Sequence, residues 1–396
     1  MGAEEFNLGT TSLVAMGCIM VRQCHSNTCP VGVCTQDDDL RKRFSGTADK
    51  VVNLFSFIAE EVREIVAELG FKELNEIIGR TDLLSQISRG SSHLDDLDLN
   101  SLLIQAEKDP DVKYFNHTGI NDAGSTLDEK IILDAAKFLE TGQKTELNYN
   151  VKNTDRTIGS KLSSYIYNKF KDTQINDDQI TLNLNGSAGQ SLGAFAVRGL
   201  TIKVHGDAND YVGKSLSGGK IVIRPDKNSK IKSNENTIMG NTCMYGATSG
   251  SLYASGKAGE RFAVRNSGAT IVVEGCGSNG CEYMTGGNVI ILGKTGDNFG
   301  AGMTGGMAFV YDLDKKFKYR VNDETLVFAS IQSNYWKNVL KEFIMNHYNE
   351  TNSSHAKKII DNWEVEYSKF VQICPKEIVS TLSEPLVEEI KKKKAK

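Results

Sequence analysis

The sequence of 396 residues has little proline and little net charge, and each scarcity excludes a class of protein. Collagen needs abundant proline and a glycine at every third position, whereas this chain has only 5 prolines. Lysine and arginine number 46 against 50 acidic residues, so the net charge of −4 provides no basic surface for nucleic acid. A composition that is 39% hydrophobic and 24% charged is typical of an ordinary folded protein.

Long hydrophobic runs are also missing. The early apolar stretch is broken into Leu13–Met16 and Cys18–Val21, which is too short to span a bilayer and lacks the basic start of a signal peptide. Four of the 8 cysteines are crowded into Cys18–Cys34, unlike the disulfide framework of a secreted protein. These features predict a cytoplasmic protein that binds neither nucleic acid nor membrane.

Glycine, by contrast, is abundant and periodic. Of 37 glycines, 25 fall between Gly186 and Gly306. Six segments pair a glycine with a following apolar run, and the leading glycines are separated by 19, 32, 18, 18 and 19 residues. These leading glycines are Gly199, Gly218, Gly250, Gly268, Gly286 and Gly305. The longer interval holds one period plus a polar insertion around residues 226–237.

Apolar residues alternate after these glycines, as in Ile202/Val204 and Ile271/Val273, and Leu252/Ala254 fits with a shift of one residue. Alternation of period two indicates strands with one buried face, and glycine suits corners that need positive φ. Short units that each bury little favour a stacked solenoid. The pattern therefore predicts a β-helix of six or seven coils, with Ile180–Leu184 as a possible first coil. A phosphate cradle is the weaker interpretation, because Gly186–Gly189 lacks the strand-to-long-helix context.

The flanking segments predict helices separated by less regular chain. A short strand at Ala3–Leu8 ends in the Gly9-Thr10 turn, and a lone strand means either that Met1 opens a fragment or that a partner completes the sheet. Residues 85–125 are predicted as an extended connection, and Lys391–Lys394 as a solvated tail. Apolar spacing predicts helices at Asp49–Leu69, Leu74–Ile78, Leu127–Leu139, Ile158–Phe170, Tyr335–His347 and Ala356–Val371.

The cysteine cluster indicates a metal site. Cys18, Cys24, Cys29 and Cys34 have the spacing C-x5-C-x4-C-x4-C, with Pro30 after the third. Iron–sulfur clusters are held by thiolates along an irregular loop, which makes such a cluster the favoured interpretation over zinc or over buried free thiols. The residues alone leave open whether three or four of the cysteines bind.

The other candidate ligands point to packing. Cys276 and Cys281 are predicted to pack in a corner of the solenoid, and Cys243 and Cys374 stand alone. None of the 6 histidines is paired with a cysteine or carboxylate at a spacing typical of catalysis.

Five stretches carry a resemblance to a known family: GAEEFNLGTTSLVAMGCIMVRQCHSNTCPVGVC, ELNEIIGRTDLL, GSAGQSLGAFAVRGL, GDANDYVGKSLSGG and GERFAVRNSGATIVVEGCGSNGCEYMTGG. With them, essentially the whole chain resembles the C-terminal part of the large (alpha) subunit of bacterial glutamate synthase. The resemblance implies a mixed α and β fold: a right-handed parallel β-helix, preceded by the last strand and helices of a truncated (β/α)8 barrel.

The resemblance also implies cofactors and their sites. The first segment would close an FMN-binding barrel and hold a [3Fe–4S] cluster, with Cys18, Cys24 and Cys29 as ligands and Cys34 outside the set. The strand at residues 3–8 resembles the barrel's eighth strand. Because phosphate sites of such barrels follow strands seven and eight, Gly9 and Thr10 are expected near the FMN phosphate.

The family reaction gives the expected function. Ammonia released from glutamine condenses with 2-oxoglutarate, and reduced FMN delivers hydride to the imine to give glutamate. Electrons arrive through the cluster from a small FAD- and NADPH-dependent reductase subunit or from ferredoxin, and the NADPH type is the favoured one. The chain lacks the family's N-terminal cysteine nucleophile and first seven barrel strands, so it is expected to be inactive alone and to need the rest of the large subunit as a partner.

An alternative function remains open, namely a non-catalytic iron–sulfur and β-helix subunit that docks on a separately encoded barrel. In either case the predicted segments are the barrel end with the iron–sulfur loop (residues 1–85), a helical and extended connection (86–175), the glycine-rich β-helix domain (176–325) and C-terminal helices with a basic tail (326–396).

Overall fold

The computed structural model describes residues 2–22, 24, 28–35, 37–90, 95–105, 124–171, 175–226 and 228–386. They belong to two compact units, Met1–Asp122 and Ala123–Lys396, each described here by itself. The predicted basic tail and His25 lie outside the described residues. No helix within the described ranges is both long enough and apolar enough to cross a membrane.

The first unit is helical in its described part. Its α-helices are α1 (Gly9–Ala15), α2 (Asp38–Arg41) and α3 (Ala48–Glu68), and its 3-10 helices are Leu74–Ile77, Thr81–Leu83 and Asn100–Leu102. Helix α3 confirms the helix predicted from apolar spacing: the hydroxyl of Thr47 caps its first turn by accepting from the N–H of Lys50, and Gly70 follows its end with φ of +82°.

The strand predicted at Ala3–Leu8 is wrong for this chain. Residues 2–8 belong to no helix or strand, and Gly9-Thr10, predicted as the turn after the strand, begins α1 instead. A strand needs backbone hydrogen bonds from a neighbour, and the described residues of the first unit contain no strand that could supply them.

The second unit contains helices on both sides of a glycine-rich block of strands. These helices are α4 (Leu127–Asp134), α5 (Ala136–Thr141), α6 (Ser160–Phe170), α7 (Asn334–Thr351), α8 (Ser354–Asp361) and α9 (Trp363–Glu366). They confirm the predicted helices except at the C-terminal end, where the helix expected to reach Val371 stops at Glu366 and a strand starts at Phe370.

Twelve strands form one sheet. They are β1 (Thr145–Val151), β2 (Ile180–Ala188), β3 (Leu200–Ala208), β4 (Ser217–Arg224), β5 (Thr237–Met239), β6 (Ser249–Ala254), β7 (Lys257–Ala258), β8 (Ser267–Val273), β9 (Thr285–Ile291), β10 (Gly305–Tyr311), β11 (Leu326–Ser330) and β12 (Phe370–Pro375). Each of the six predicted glycine segments is a strand, and β2 contains the proposed first coil. Strands β1, β11 and β12 lie in segments where the sequence predicted a connection or only helices.

The sheet is mostly parallel. Its strand order is β1-β2-β3-β4-β6-β8-β9-β10-β12-β11, and every pair up to β10 is parallel. At the end, β12 pairs antiparallel with β10 and with β11. Strands β5 and β7 pair with each other beside the main path, after the polar insertion.

The alternating residues predicted from the sequence stand in register across the sheet. One row runs through Leu182, Ile202, Ile221, Leu252, Ile271, Val289 and Ala308. A second row runs through Leu184, Val204, Ile223, Ala254, Val273, Ile291 and Val310. Both rows are buried in one hydrophobic cluster. The repeat in the sequence therefore places equivalent apolar positions of neighbouring strands side by side in the core.

The opposite face of these strands is buried as well, which the alternation did not predict. Val272, Ile290 and Phe309 point to a second hydrophobic cluster that also contains Leu340 and Trp363. The C-terminal helices therefore cover the outer face of the sheet between β4 and β10, and these strands are nearly continuous apolar runs because both of their faces are buried.

Tight arcs of five residues separate the strands. In each arc the first, third and fifth residues have φ between +54° and +73°. The arcs span residues 191–195, 211–215, 242–246, 261–265, 279–283 and 298–302. The prediction that glycine fills such corners is only partly right, because Phe195, Arg261 and Tyr283 also adopt this left-handed conformation.

Backbone hydrogen bonds between arcs stabilise this unusual conformation. The N–H groups of Arg261 and Arg265 donate to Ser278 and Glu282 at 2.8 and 2.9 Å, toward the next arc. The N–H of Ala263 donates at 2.9 Å to Cys243 in the preceding arc. Because each arc bonds to both neighbours, the stack offsets the cost of positive φ at non-glycine residues.

We predict that Gly206→Ala strongly destabilises the second unit. Gly206 has φ of +152°, and a Cβ there would overlap the carbonyl oxygen of Gly186 in the neighbouring strand. Because that oxygen is backbone, the strands must separate, and we expect the free energy of unfolding to fall by at least about 2 kcal/mol. Urea unfolding followed by tryptophan fluorescence measures this change, since Trp336 and Trp363 both lie in the second unit.

Gly246→Ala is the matched control. Gly246 has φ of +64°, but the nearest atom to a Cβ is the Ser215 hydroxyl at 3.7 Å, and Arg265 holds the same arc position with a side chain. The expected loss is about 1 kcal/mol. Equal losses in the two variants would show that close backbone approach does not require the glycine at 206.

We also predict that Asp128→Ala destabilises the second unit. The buried Asp128 carboxylate accepts from the N–H groups of Gly159 at 2.6 Å and Lys161 at 2.7 Å, at the start of α6. Removal leaves these donors unsatisfied, and we expect a loss of about 2–3 kcal/mol in urea unfolding. The control Glu129→Ala removes only an exposed ion pair with Lys161, worth at most about 1 kcal/mol; a comparable loss there would contradict the capping role.

Candidate functional site

The cysteine loop begins where α1 ends. The N–H of Cys18 donates to the carbonyl of Leu13 at 3.0 Å, so the first cysteine is fixed to the last turn of the helix. Beyond it, Met20 and Arg22 have φ of +54° and +60°, which confirms the irregular backbone predicted for this segment. Such backbone lets N–H groups turn toward sulfur atoms rather than continue a helix.

A tight turn follows the third cysteine. The N–H of Gly32 donates to the carbonyl of Cys29 at 3.1 Å, and Gly32 has φ of +77°. A Cβ at this position would lie 2.5 Å from the carbonyl oxygen of Leu40 in α2. The turn is therefore packed directly on α2, and only glycine fits there.

Helix α2 is itself well defined at its start, which fixes the far side of the loop. The Asp37 carboxylate accepts from the N–H groups of Asp39 at 3.0 Å and Leu40 at 2.9 Å. This capping orients the carbonyl end of α2 against the turn at Gly32. The loop is thus held by α1 at one end and by α2 at the other.

The buried thiol in the loop is Cys29, which is 4% exposed. Burial acts to raise its pKa, but hydrogen bonds from the backbone N–H groups of Cys34, Val31 and Val33 lower the pKa to about 7. Donors aimed at a sulfur stabilise the thiolate, which is the form that binds metals. The loop around Cys29 therefore favours a thiolate at this position.

Cys34 has the opposite electrostatics. Its side chain is hydrogen-bonded to Cys24 and Cys29, and desolvation together with these two neighbours raises its pKa to about 12. The structure thus gathers Cys24, Cys29 and Cys34, a grouping that sequence spacing left open. The raised pKa of Cys34 favours its neutral thiol, whereas the lowered pKa of Cys29 favours its thiolate.

Cys18 lies at the edge of this group. It is partly buried, and its sulfur accepts from the N–H of Met20 at 3.4 Å. Over the described part of the chain, no three histidine, cysteine or carboxylate side chains are arranged to hold a metal ion. The four cysteines lie in one loop. Which of them bind a metal stays a prediction.

Gly9 and Thr10 form the first turn of α1, and both are exposed. Leu8 at the N-cap supplies no side-chain hydrogen bond, and the first turn carries no acidic residue. The partial positive charge of the helix start therefore faces outward without a capping side chain. Helix α1 is about 10 Å long, which sets the spacing along the chain between this turn and Cys18.

The first unit exposes many large apolar side chains. Phe6, Val52 and Phe57 are 68%, 60% and 72% exposed, and Val66 is the one buried residue of α3. Soluble monomers rarely leave so much contiguous apolar surface wet, so this surface is suited to contact with more protein.

The cysteines of the second unit are packed, as predicted. Cys243, Cys276, Cys281 and Cys374 are at most 7% exposed. Burial raises the pKa of Cys243 and Cys276 to about 12, so these thiols remain neutral. They contribute to the core rather than to a metal site.

One polar pair escaped the sequence analysis. His347 in α7 lies with its Nε2 atom 3.4 Å from the Glu274 carboxylate, and both side chains are fully buried. Because 73 residues separate them in the chain, no local spacing could have indicated the contact.

Two family models match the chain. The model described as the GXGXG motif covers residues 128–376, which includes the whole sheet. The model described as a conserved region in glutamate synthase covers residues 1–72, which includes α1 and the cysteine loop.

The relatives carry the same family name. The glutamate synthase [NADPH] large chain of Azospirillum brasilense is 58% identical over 386 residues, which is 98% of this chain and 26% of that protein. The glutamate synthase [NADPH] large chain of Bacillus subtilis is 46% identical over 95% of this chain and 25% of its own length. The ferredoxin-dependent glutamate synthase 2 of Synechocystis sp. is 45% identical over 95% and 24%.

The chain thus spans about a quarter of the length of the curated relatives it matches. It belongs to the GXGXG motif family, in the form that the glutamate synthase large chains carry.

Proposed function

We propose that the chain acts as part of a glutamate synthase large subunit, an oxidoreductase that transfers the amide nitrogen of glutamine to 2-oxoglutarate to give glutamate. The observation that carries this proposal is the cysteine loop, where an ionisable buried thiol sits within the segment that matches the conserved region of glutamate synthase. The chain's contribution is an electron relay toward FMN together with a structural domain.

Cys18, Cys24 and Cys29 are the proposed ligands of a [3Fe–4S] cluster. Two observations support this choice: the N–H groups around Cys29 favour its thiolate, and the high pKa of Cys34 favours its neutral thiol. Cys34 then acts as a hydrogen-bond donor beside the ligands. A bound cluster of this type supplies one-electron transfer.

Gly9 and Thr10 are the proposed contacts for the FMN phosphate. Their N–H groups stand in the first turn of α1, where a phosphate is stabilised by the helix dipole, and Gly9 has open space in place of a Cβ. Bound FMN supplies hydride transfer, while the residues of this chain bind and orient its phosphate end.

Residues 1–85 are proposed as the end of an FMN-binding (β/α)8 barrel. The exposed apolar side chains of α3 and of residues 6–21 support this, since a barrel would cover them. The remainder of a large subunit is then the first partner, and a small reductase subunit with FAD and NADPH, or ferredoxin, is the electron donor. The names of the relatives support NADPH and ferredoxin types alike. Cytoplasmic localisation is part of the proposal.

Residues 176–325 are proposed as a right-handed parallel β-helix. Parallel pairing that keeps the apolar rows in register, together with arcs that repeat at nearly the strand period, supports a solenoid of stacked coils. Its role is architectural, and residues 86–175 and 326–396 supply the connecting and covering segments.

We predict that the proposed ligands can be separated from Cys34 by substitution. Anaerobically purified protein should show a [3Fe–4S] signal in electron paramagnetic resonance. The signal should disappear, with loss of iron, in Cys18→Ser, Cys24→Ser and Cys29→Ser, because each removes a thiolate.

The matched control is Cys34→Ser, which should retain the signal with altered line shape, since only a donor to the ligands changes. Loss of the cluster in Cys34→Ser and its retention in Cys18→Ser would instead identify Cys24, Cys29 and Cys34 as ligands. Zinc without iron in the purified chain would contradict an iron–sulfur site altogether.

We also predict that these 396 residues, expressed by themselves, form no glutamate from glutamine and 2-oxoglutarate. The relatives are about four times longer, and the resemblance assigns the cysteine nucleophile and the 2-oxoglutarate site to sequence beyond the matched quarter. Amino-acid analysis with a chemically reduced electron donor tests this, with the complete A. brasilense enzyme as positive control. Turnover by the chain alone would overturn the proposed division of roles.

A further inference from the structure

A buried carboxylate stands in the second unit, far along the chain from the cysteine loop. Glu274 follows β8 directly and is fully buried. Its Oε1 atom accepts from the hydroxyls of Ser255 at 3.3 Å and of Ser353, and it lies 3.4 Å from Nε2 of His347. One oxygen of this carboxylate is therefore fully engaged.

The surroundings of the carboxylate favour its ionised form despite its burial. Burial acts to raise the pKa of Glu274, but the interactions with His347 and with nearby serine hydroxyls lower it overall. An ionised group without water needs a compensating partner at each of its oxygens.

The second oxygen has no such partner in the structure. Glu274 Oε2 is buried and accepts no hydrogen bond of ordinary geometry from the described residues, although the Ser233 hydroxyl lies near enough to Glu274 to help lower its pKa. The hydroxyl of Thr295 is likewise buried without a partner among the described residues. Thr295 is 2% exposed. Both residues line one cavity of about 180 Å³, which lies where β8, β9 and β10 end and α8 begins. Two unsatisfied polar groups at one cavity indicate that something polar occupies it.

The charges around the cavity favour a cation. Asp312 and Asp314 also line it, which gives three carboxylates with Glu274. The imidazole of His347 lies 3.4 Å from the other oxygen of Glu274 and does not line the cavity. Arg320 is held by Asp314 at 2.5 Å, and the only other cationic lining side chains among the described residues are the exposed Lys294 and the imidazole of His355. His355 is engaged elsewhere, since its Nε2 donates to the carbonyl of Leu292 at 2.6 Å.

The charge and the size of the ion narrow the class of cation that could occupy this cavity. The three carboxylates line the cavity without converging on one point, and within the described residues no three carboxylate, histidine or cysteine side chains form the ligand cage of a transition metal. A carboxylate oxygen, a hydroxyl and water are instead suitable for a large, singly charged ion. The cavity of about 180 Å³ has room for such an ion with several waters.

We propose that this cavity binds a monovalent cation of the size of potassium or ammonium, with Glu274 Oε2 and Thr295 Oγ1 as its protein ligands. The ion ties β8 and β9 to α8, because the same carboxylate also binds Ser353 at the start of α8. The site is independent of the cofactors proposed for the first unit.

Thermal unfolding of the full chain tests the proposal. At equal ionic strength, potassium or ammonium chloride should raise the Tm by about 2–4 °C over lithium or choline chloride, because only the folded state holds the ion. Glu274→Gln and Thr295→Val should each abolish the ion-specific part of this shift. The matched control Glu282→Gln, whose carboxylate faces Arg261 instead of the cavity, should keep it.

Crystals of the full chain soaked in thallium(I) acetate give a direct readout that does not depend on stability. The expected result is an anomalous peak in contact with Glu274 and Thr295 in the parent chain, and no such peak in Thr295→Val. This second variant keeps the assay usable if Glu274→Gln fails to fold. A cavity that contains only water, or a Tm shift that is equal for all four salts, overturns the proposal.

Discussion

Neighbouring strands of a sheet lie about 4.8 Å apart, and this spacing is the constraint on which the second unit depends. At that distance each side chain in the core contacts the same position in the layers above and below, so Ile202, Ile221 and Leu252 must be similar in size and point the same way. Where φ of a strand residue directs its Cβ position toward the paired strand, that spacing leaves no room for a Cβ, as at Gly206 beside its partner Gly186. Side-chain repetition and glycine are thus two responses to the same spacing.

The sequence predicts the parts of the fold that obey local rules. Alternation after each glycine identified the strands, including the shifted pair Leu252/Ala254, because period two follows directly from strand geometry. It failed where distant contacts override local preference. Arg261 and Tyr283 adopt positive φ only because neighbouring arcs supply hydrogen bonds, and Phe370 begins a strand rather than continuing a helix because β10 is available to pair with it.

The candidate site divides in the same way. Cysteine spacing alone was enough to locate the loop. The Gly9-Thr10 pair was predicted as a turn after a strand, whereas in the structure it begins α1. The difference between Cys29 and Cys34 was out of reach, because it depends on which thiol receives backbone N–H groups and which must donate to its neighbours. The contact of Glu274 with His347 could not be predicted either, because it forms only when α7 packs on the sheet next to the end of β8. A sequence gives the type of each residue, whereas only the folded structure shows which residue donates a hydrogen bond to which.

The covering of the outer sheet face by α7, α8 and β12 has a consequence for synthesis on the ribosome. Val272, Ile290 and Phe309 are translated well before Leu340 and Trp363, the residues of their cluster that shield them from water. A nascent chain that ends near residue 330 therefore exposes the apolar outer face of its sheet to water, even when the apolar rows of the inner face are already packed. The parallel strands can pair as they emerge. The unit stops exposing apolar surface to other nascent chains only after residue 375 has left the exit tunnel, when β12 pairs with β10.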